Sequence, residues 1–514
     1  MKNVLKKHHL AFVLAIVTGF IMIFPQLFFV NSLGTEYKGI PMMKSDGETY
    51  YVTRMQQLYN GTGVSNPYYF EDKNLPNIYY TFSESLIAIP GVVLGIPVDT
   101  LNLIYKFLFP GIVFLLVYFL LYRLTKNKIW SLTGASLVLL GNTLLSIPDI
   151  SHLFRLDKTA YSQFSLFARA VNPEFSSIVF FPYVHLLVSA VQSQKNKWYI
   201  FMALLFSASF YFYFYSWTFI LAANVCTAMT FFFIKHLRQI SWKILFVTFS
   251  SLVLGSRAIL EILAVKASPF LKDLAGIYDV ASHRPIISIA WVFVLVVYIW
   301  YLKRKKILVS EDYLLIGLFI ATLVDVNQQV ITGLSVQSGH YHWYFNTPMF
   351  FIILMYVCAK WSDGFLSKNI SRVFGTFLIL LSITSASFIQ YSSYLNNKAE
   401  AVNEQDFAQV FDWLNKNTPK GSVVMSNLPM SELMTIYTSN RVLESYFGGT
   451  YILSTERRGY NTEVALRDLH LGKKAAFRLD YIVWDTETDP DWKINIIKNI
   501  KKEASFENLH VYSL

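Results

Sequence analysis

Apolar runs of about twenty residues recur from residue 10 to residue 391, and no other feature constrains the fold as strongly. A helix of that length crosses the roughly 30 Å hydrocarbon core of a bilayer. Inside lipid the backbone has to satisfy its own hydrogen bonds, so such runs are helices. The pattern predicts eleven spans, at 10–31, 100–122, 129–147, 176–193, 198–212, 216–234, 241–256, 285–302, 312–326, 343–360 and 372–391. Composition agrees. Hydrophobic residues make up 54% of the chain and charged residues 15%, whereas soluble domains carry about 25% charged residues. A soluble enzyme, a disordered chain and a secreted disulfide scaffold are excluded. The two cysteines, Cys226 and Cys358, lie inside apolar runs, where neither is placed for a structural disulfide. The first run follows a basic start and ends without a small-residue cleavage site, which reads as a retained anchor rather than a signal peptide.

The net charge of +11 suggests nucleic acid until the positions of the charges are considered. With Lys2, Lys6 and Lys7 on the cytoplasmic side, the short inner connections gather Arg123, Lys126, Lys128, Lys195, Lys197, Lys235, Arg238, Lys243 and the run Lys303-Arg304-Lys305-Lys306. Lys360, Lys368 and Arg372 follow on the same side, and most acidic residues of this region fall on the opposite one. That asymmetry is the positive-inside pattern. It predicts an integral, multi-pass plasma (inner) membrane protein with its N-terminus cytoplasmic and its C-terminus extracytoplasmic. The basic excess then reports topology and attraction to membrane lipid, and no nucleic-acid partner is expected.

Three outer segments are long: 32–99, 148–175 and 257–284. The first exceeds what a connection requires, and such loops are usually functional or disordered. Its turn signals Gly61, Gly63, Pro67 and Pro76 alternate with apolar stretches, which predicts ordered short helices, with Ser85–Ile96 lying along the membrane interface. From about residue 392 the character changes: the tail has 14 basic and 16 acidic residues, the rest of the chain 30 and 17. Residues 404–416 place Phe407, Val410, Phe411 and Leu414 on one helical face. Residues 422–426 and 481–484 read as buried strands. The expected fold is an all-α polytopic membrane domain over 1–391, with a long structured outer loop, and a small extracytoplasmic α/β domain over 392–514 that folds by itself.

The first outer loop holds Ser45-Asp46-Gly47-Glu48-Thr49-Tyr50-Tyr51-Val52-Thr53-Arg54. With Thr49 onward helical, Tyr50, Arg54 and Leu58 share a face and Asp46 stands at the helix start, where a carboxylate can cap free N–H groups and stay ionised. Asp46 is therefore either a helix cap or a general base at the membrane surface. Farther along, His340-Tyr-His342 could join a metal site if extended, since alternate side chains of a strand face the same way. Hydrogen bonding to sugar or phosphate is the alternative, and it is favoured here. His185, in mid-span, reads as a satisfied core histidine. Asp325 near Gln328 and Gln329 is costly at that depth unless its helix end faces a polar site. The rings at Tyr211–Tyr215 and Trp217 read as an interfacial aromatic belt.

The Asp46-x-Glu48-x-Tyr50-Tyr51-x-x-Arg54 segment directly after the first span resembles the polytopic membrane glycosyltransferases of the GT-C fold class. Segments resembling bacterial members are Asn66-Pro67-Tyr68, Phe167-Ala-Arg169-Ala-Val-Asn172-Pro173-Glu174, 327–333 and 339–343. The resemblance implies an enzyme, a hexosyl- or pentosyltransferase, whose donor is a polyprenyl-phosphate-linked sugar and whose acceptor is a glycan, lipid or protein. It puts the catalytic base at Asp46, with Glu48 as a second carboxylate. Residues that would contact substrate are Tyr50, Arg54, Glu84, Arg169, Asn172, Arg257, Arg284, Gln328, Gln329, His340 and His342. A leaving phosphate gathers negative charge that a fixed arginine or a metal can stabilise. Arg169, Arg257 and Arg284 sit where a lipid phosphate would lie, though for any single one of them the residues alone favour a plain interfacial anchor. Arg54 is a fourth such cation or the group that orients Asp46. A divalent cation stays open as a cofactor. The other readings are a glycan polymerase or ligase that works through outer Arg and His residues, and a lipid or solute transporter. Transporters favour internal repeats and mid-membrane charges, and neither is visible.

Overall fold

A computed structural model describes residues 2–62, 66–75, 82–267, 278–279, 283–333, 335–362, 367–451, 453–454 and 456–514. Of the positions named above, Gly63 and Pro76 lie outside them. The chain divides into two compact units, each built from separated stretches of sequence.

The first unit comprises Met1–Pro25, Leu103–Leu263 and Ile277–Asn396 and is helical apart from a two-residue antiparallel pair, β1 (Tyr278–Asp279) with β2 (Ser335–Val336). Among the described residues, six helical stretches are long and apolar enough to cross a membrane: Asn3–Glu36, Val98–Thr125, Ala170–Ser193, Phe214–Phe232, Ser310–Thr332 and Lys368–Asn417. The other five expected spans fall on the shorter helices Lys128–Leu140, Asn196–Ser209, Arg238–Leu254, Ile289–Arg304 and Thr347–Ser362. These differ in setting. Helix Arg238–Leu254 exposes Trp242, Phe246, Phe249 and Val253, spaced to form one outward apolar stripe. Helix Lys128–Leu140 is buried from Trp130 to its end, an apolar rod enclosed on all sides.

Close approach within this unit rests on small residues and on a few saturated polar groups. Gly317 packs so tightly against helix Phe214–Phe232 that a Cβ there would lie 2.5 Å from the Thr227 Cα. That is the small-residue packing by which membrane helices associate without a hydrophobic drive between them. Gln390, 1% exposed, receives the Ser165 backbone N–H at 2.8 Å and donates its amide to the carbonyls of Ile21 and Met22 at 3.0 Å each. The carboxylate of fully buried Asp312 accepts from Tyr301 (3.1 Å), Tyr356 (2.9 Å), Lys305 (2.5 Å) and the Val309 N–H (2.7 Å), tying three helices at one end.

The second unit comprises Gln26–Asn102, Ala264–Gly276 and Asn397–Leu514. Its tail holds β3 (Val423–Met425), β4 (Arg441–Val442), β5 (Tyr481–Asp485), β6 (Lys501–Phe506) and β7 (Leu509–Ser513) in the order β4-β3-β5-β7-β6. β3 pairs in parallel with β4 and β5, while β7 is antiparallel to β5 and β6. The two runs read as buried strands are β3 and β5. Helix Phe407–Asn417 buries Phe407, Val410, Phe411 and Leu414, the face expected from the periodicity. Helix Thr462–His470 packs Ala465, Leu466 and Leu469 against Met425, Ile482, Trp484 and Tyr512 of the sheet.

The grouping differs from a boundary at 391/392, because the segment expected as the first outer loop belongs to the same unit as the tail. The reason is hydrogen-bond accounting. β4 is an edge strand, and an uncovered edge leaves N–H and C=O groups without partners. The Val442 N–H reaches the Tyr68 carbonyl at 3.0 Å, and the Arg441 guanidinium donates to the carbonyls of Asn66 and Tyr69 at 2.6 and 3.0 Å. Lys44 pairs with Glu404 at 2.7 Å and Glu400 at 2.8 Å, and Thr53 bonds Thr435 at 2.8 Å. Pairing on this scale is invisible to periodicity, which is a local signal.

The Asp312 cluster yields the first prediction. Asp312→Ala strands two phenols, an ammonium and a backbone N–H inside the protein, a loss on the order of 3 kcal/mol. Thermal unfolding in detergent should show a clear drop in midpoint, while Glu311→Ala, one position earlier, should leave it within about a degree or two, the usual range for a surface change.

Candidate functional site

In the second unit, the site begins with the turn at residues 45–48. The Glu48 N–H donates to the Ser45 carbonyl at 3.0 Å, and Gly47, at φ +63°, serves as the N-cap of helix Glu48–Tyr59 without a side-chain cap. A side chain would be strained at that φ, which accounts for the glycine. Glu48 is 2% exposed; its carboxylate accepts the Ser45 N–H at 3.1 Å and the Asn102 amide at 2.8 Å. Asp46 is exposed. The two carboxylates thus part company: Glu48 holds the turn closed, and Asp46 is the one the turn presents at the surface. The N-cap position itself falls on Gly47, one residue after Asp46.

Arg54 is paired inside the second unit. Its Nε lies 3.1 Å from Glu84 Oε1, its Nη1 donates to the Tyr50 hydroxyl at 2.7 Å, and its guanidinium sits 4.9 Å from the Tyr50 ring centre. Arg54 and Glu84 are 3% and 2% exposed. Burial pushes the Glu84 carboxyl above its usual range, with Arg54 pulling it back. Burial also works against the Arg54 charge, but the Glu84 carboxylate together with Tyr50, Tyr451 and Tyr51 holds the guanidinium above its ordinary value. Tyr50 packs on Phe447 and Tyr451, at ring separations of 5.4 and 6.0 Å. Arg54 is therefore paired with Glu84, and this pair fixes the helix that follows Asp46.

In the first unit, a second group of expected residues converges. Arg169 donates through Nε to the Asn172 carbonyl and through Nη2 to the Tyr344 hydroxyl at 2.6 Å. His340 Nδ1 bonds the Tyr213 hydroxyl at 2.7 Å, and its ring lies 4.5 Å from Tyr215 and 5.1 Å from Tyr344. Tyr215 in turn donates to Gln337 Oε1 at 2.8 Å. Burial first, and the Arg169 charge second, push His340 down to about 4, so its ring is neutral at physiological pH. Tyr213 and Tyr215 are buried partners of this cluster rather than members of an interfacial belt. The adjacency of a tyrosine-rich turn to a distant histidine left no mark in the sequence.

Several expectations need correction. The segment after Gln337 is helical over Ser338–Tyr341 and continues as a wide turn over His342–Asn346, not extended. Side chains two apart on a helix do not face each other, so His340 and His342 separate. Arg257 is 83% exposed at its side chain and paired with Glu261 at 3.0 Å, away from the Arg169 cluster's hydrogen bonds. Arg284 is exposed and offers its carbonyl to Gln329 at 3.1 Å; Gln328 accepts from Thr332 at 3.4 Å. Asp325, 4% exposed, is bonded by Asn346 at 3.3 Å. His185 bonds the Leu116 carbonyl at 2.9 Å, as a core histidine should. Lys106 was overlooked: it is fully buried, 5.6 Å from the Phe164 ring, and a lone cation in an apolar run was the available signal. Among the described residues, no group of three or more His, Cys, Asp or Glu side chains is arranged to hold a metal.

No family model matches the sequence, and no curated protein does. Solved structures do match. The oligosaccharyltransferase of Archaeoglobus fulgidus, solved with zinc and sulfate, aligns with a TM-score of 0.53 at 12% identity, over 93% of this chain and 68% of its own. The same enzyme tethered to an acceptor peptide gives 0.51 at 12%, over 94% and 69%. ArnT of Cupriavidus metallidurans bound to undecaprenyl phosphate gives 0.52 at 10%, over 99% and 98%. The chain has the GT-C fold of polytopic membrane glycosyltransferases.

The Arg54–Glu84 pair can be tested directly. Arg54→Met alone buries an unpaired carboxyl and should destabilise the protein by about 3–5 kcal/mol, whereas adding Glu84→Leu should recover most of that loss. Unfolding midpoints of the two variants in detergent are the measurement. Equal midpoints would show that the pair carries no coupling.

Proposed function

We propose that this chain is a membrane glycosyltransferase that moves a sugar from a polyprenyl-phosphate carrier to a glycan, lipid or protein acceptor on the outer face of the membrane. The observation that carries the reading is a fold shared over nearly the whole of both chains with a protein solved in complex with undecaprenyl phosphate. The topology that goes with it has eleven spans, the N-terminus cytoplasmic and the C-terminal tail extracytoplasmic. The apolar stripe exposed on helix Arg238–Leu254 supports counting that shorter helix as a span. A reporter active only outside the cytoplasm should be active when fused after Leu514 and silent after Lys306; the reverse pattern would invert the topology.

In the proposed reaction Asp46 accepts the proton of the acceptor hydroxyl as its oxygen bonds to the anomeric carbon. The bond from that carbon to the carrier phosphate oxygen breaks, and the phosphate leaves with the electron pair. Within the helical unit taken by itself, Arg169, held by Asn172 and Tyr344, is a cation suited to a phosphate. His340, neutral and hydrogen-bonded, is suited to a sugar hydroxyl. Hexosyl and pentosyl donors are both compatible with this scheme. No step is routed through a metal ion.

The carboxylates at 46 and 48 make the decisive comparison. Asp46→Asn keeps side-chain size but cannot take a proton, so turnover should fall by about 10²–10⁴-fold. Its unfolding midpoint should stay near wild type, because Asp46 is exposed. Glu48→Ala should do the opposite in kind, lowering stability by about 1–3 kcal/mol through the stranded Asn102 amide and Ser45 N–H. Undiminished transfer by Asp46→Asn would remove Asp46 from the chemistry.

A further inference from the structure

Residues 37–44 of the second unit form neither helix nor strand, yet Ile40, Met42 and Met43 are buried. Backbone N–H and C=O groups in buried chain have to be paired, and irregular chain has no ladder to pair them. Side chains supply the partners. Gln405, 3% exposed, accepts the Lys38 backbone N–H on Oε1 at 3.0 Å. Its Nε2 donates to the Ile40 carbonyl at 2.8 Å and to the Ala401 carbonyl at 3.0 Å. Gln26, 1% exposed, donates to the Met42 carbonyl at 3.1 Å. Ion pairs fasten both flanks, Lys38 with Asp406 at 2.6 Å and Lys44 with Glu404 and Glu400 at 2.7 and 2.8 Å.

The source of these amides matters. Gln26 belongs to the helical stretch Asn3–Glu36 and Gln405 to Lys368–Asn417, both long and apolar enough to cross a membrane. A third such stretch, Val98–Thr125, supplies Asn102, whose amide holds Glu48. An amide both donates and accepts, and being uncharged it is buried at far lower cost than an ion. Asp46 is exposed between the anchored residues Lys44 and Glu48, so its freedom is that of one short turn. A carboxylate that takes a proton must come within about 2.6–3.2 Å of the group it deprotonates. Misplacement by about 1 Å can cost about 10²-fold in rate.

We propose that Gln405 and Gln26 are positioning residues of the transfer reaction. The two buried amides hang the segment that carries Asp46 on the ends of two membrane helices, and so set where the carboxylate meets its acceptor. Both act through the backbone at 38–42 rather than on the substrate. The assignment rests on the general-base reading of Asp46.

The test uses the full chain in nanodiscs and the variants Gln405→Leu and Gln26→Leu, which remove the amide at similar size. Amide hydrogen exchange, read by mass spectrometry, should quicken about tenfold over residues 38–47, the worth of one hydrogen bond. Helix Phe407–Asn417 should keep its wild-type exchange. Transfer from a polyprenyl-phosphate sugar should lose about 10- to 100-fold in kcat, with KM changed by less than about twofold. A merely structural role would lower the folded fraction and leave kcat per folded molecule intact. Lys398→Ala, exposed on the same helical stretch as Gln405, should match the wild type in both measurements. The two variants lie on separate helices, so failure of one to fold leaves the other to decide. Unchanged exchange at 38–47 in a folded variant, or quickened exchange with kcat at the wild-type value, would overturn the proposal. The two readings fail separately: full-rate transfer by Asp46→Asn with Gln405→Leu slowed would remove Asp46 as the base and keep both amides as positioning residues of this segment. A wild-type chain that moves no sugar would refute the proposed function, and exchange at 38–47 would still decide whether the amides hold the segment.

Discussion

The arrangement of the second unit hangs on one buried carboxylate. Glu48 closes the turn at 45–48 by taking the Ser45 N–H on one oxygen and the Asn102 amide on the other. A buried carboxylate with both oxygens used is stable only in one geometry, since each lost partner costs desolvation without return. That geometry sets the entry of helix Glu48–Tyr59 and leaves Asp46 facing outward. The same helix is held at its next turn by the buried Arg54–Glu84 pair. Two acids and one arginine that look interchangeable in a motif thus have three distinct duties.

The same economy runs through the helical unit. Asp312 and Gln390 are each surrounded by donors or acceptors that use up their hydrogen-bonding capacity in full or nearly so, as a low-dielectric interior requires. Neutral His340 fits this setting, because a second positive charge beside Arg169 would be doubly unfavourable.

Much of the architecture was legible in the sequence because it is written in local periodicity. The apolar runs fall on helices, and Phe407, Val410, Phe411 and Leu414 form the buried face that their spacing announces. β3 and β5 were visible as short apolar runs bounded by polar residues. What periodicity could not convey is which distant segments meet. The union of residues 26–102 with the tail depends on the Tyr68–Val442 and Lys44–Glu404 contacts, which are hundreds of residues apart. For the candidate site, residue types were legible and their assignments were not. Arg54 answers Glu84, Tyr213 answers His340 instead of the membrane interface, and the helical turn at 338–341 separates the two histidines.

The central claim is that this fold transfers a sugar from a polyprenyl-phosphate carrier. The most direct measurement reconstitutes the purified full chain in nanodiscs with a panel of polyprenyl-phosphate sugars and membrane extract as acceptor, and follows the carrier by mass spectrometry. The account predicts that free polyprenyl phosphate is released from at least one carrier, in step with the appearance of glycosylated acceptor and only in the presence of the protein. Carriers that remain intact across the whole panel, with the protein folded, would contradict it.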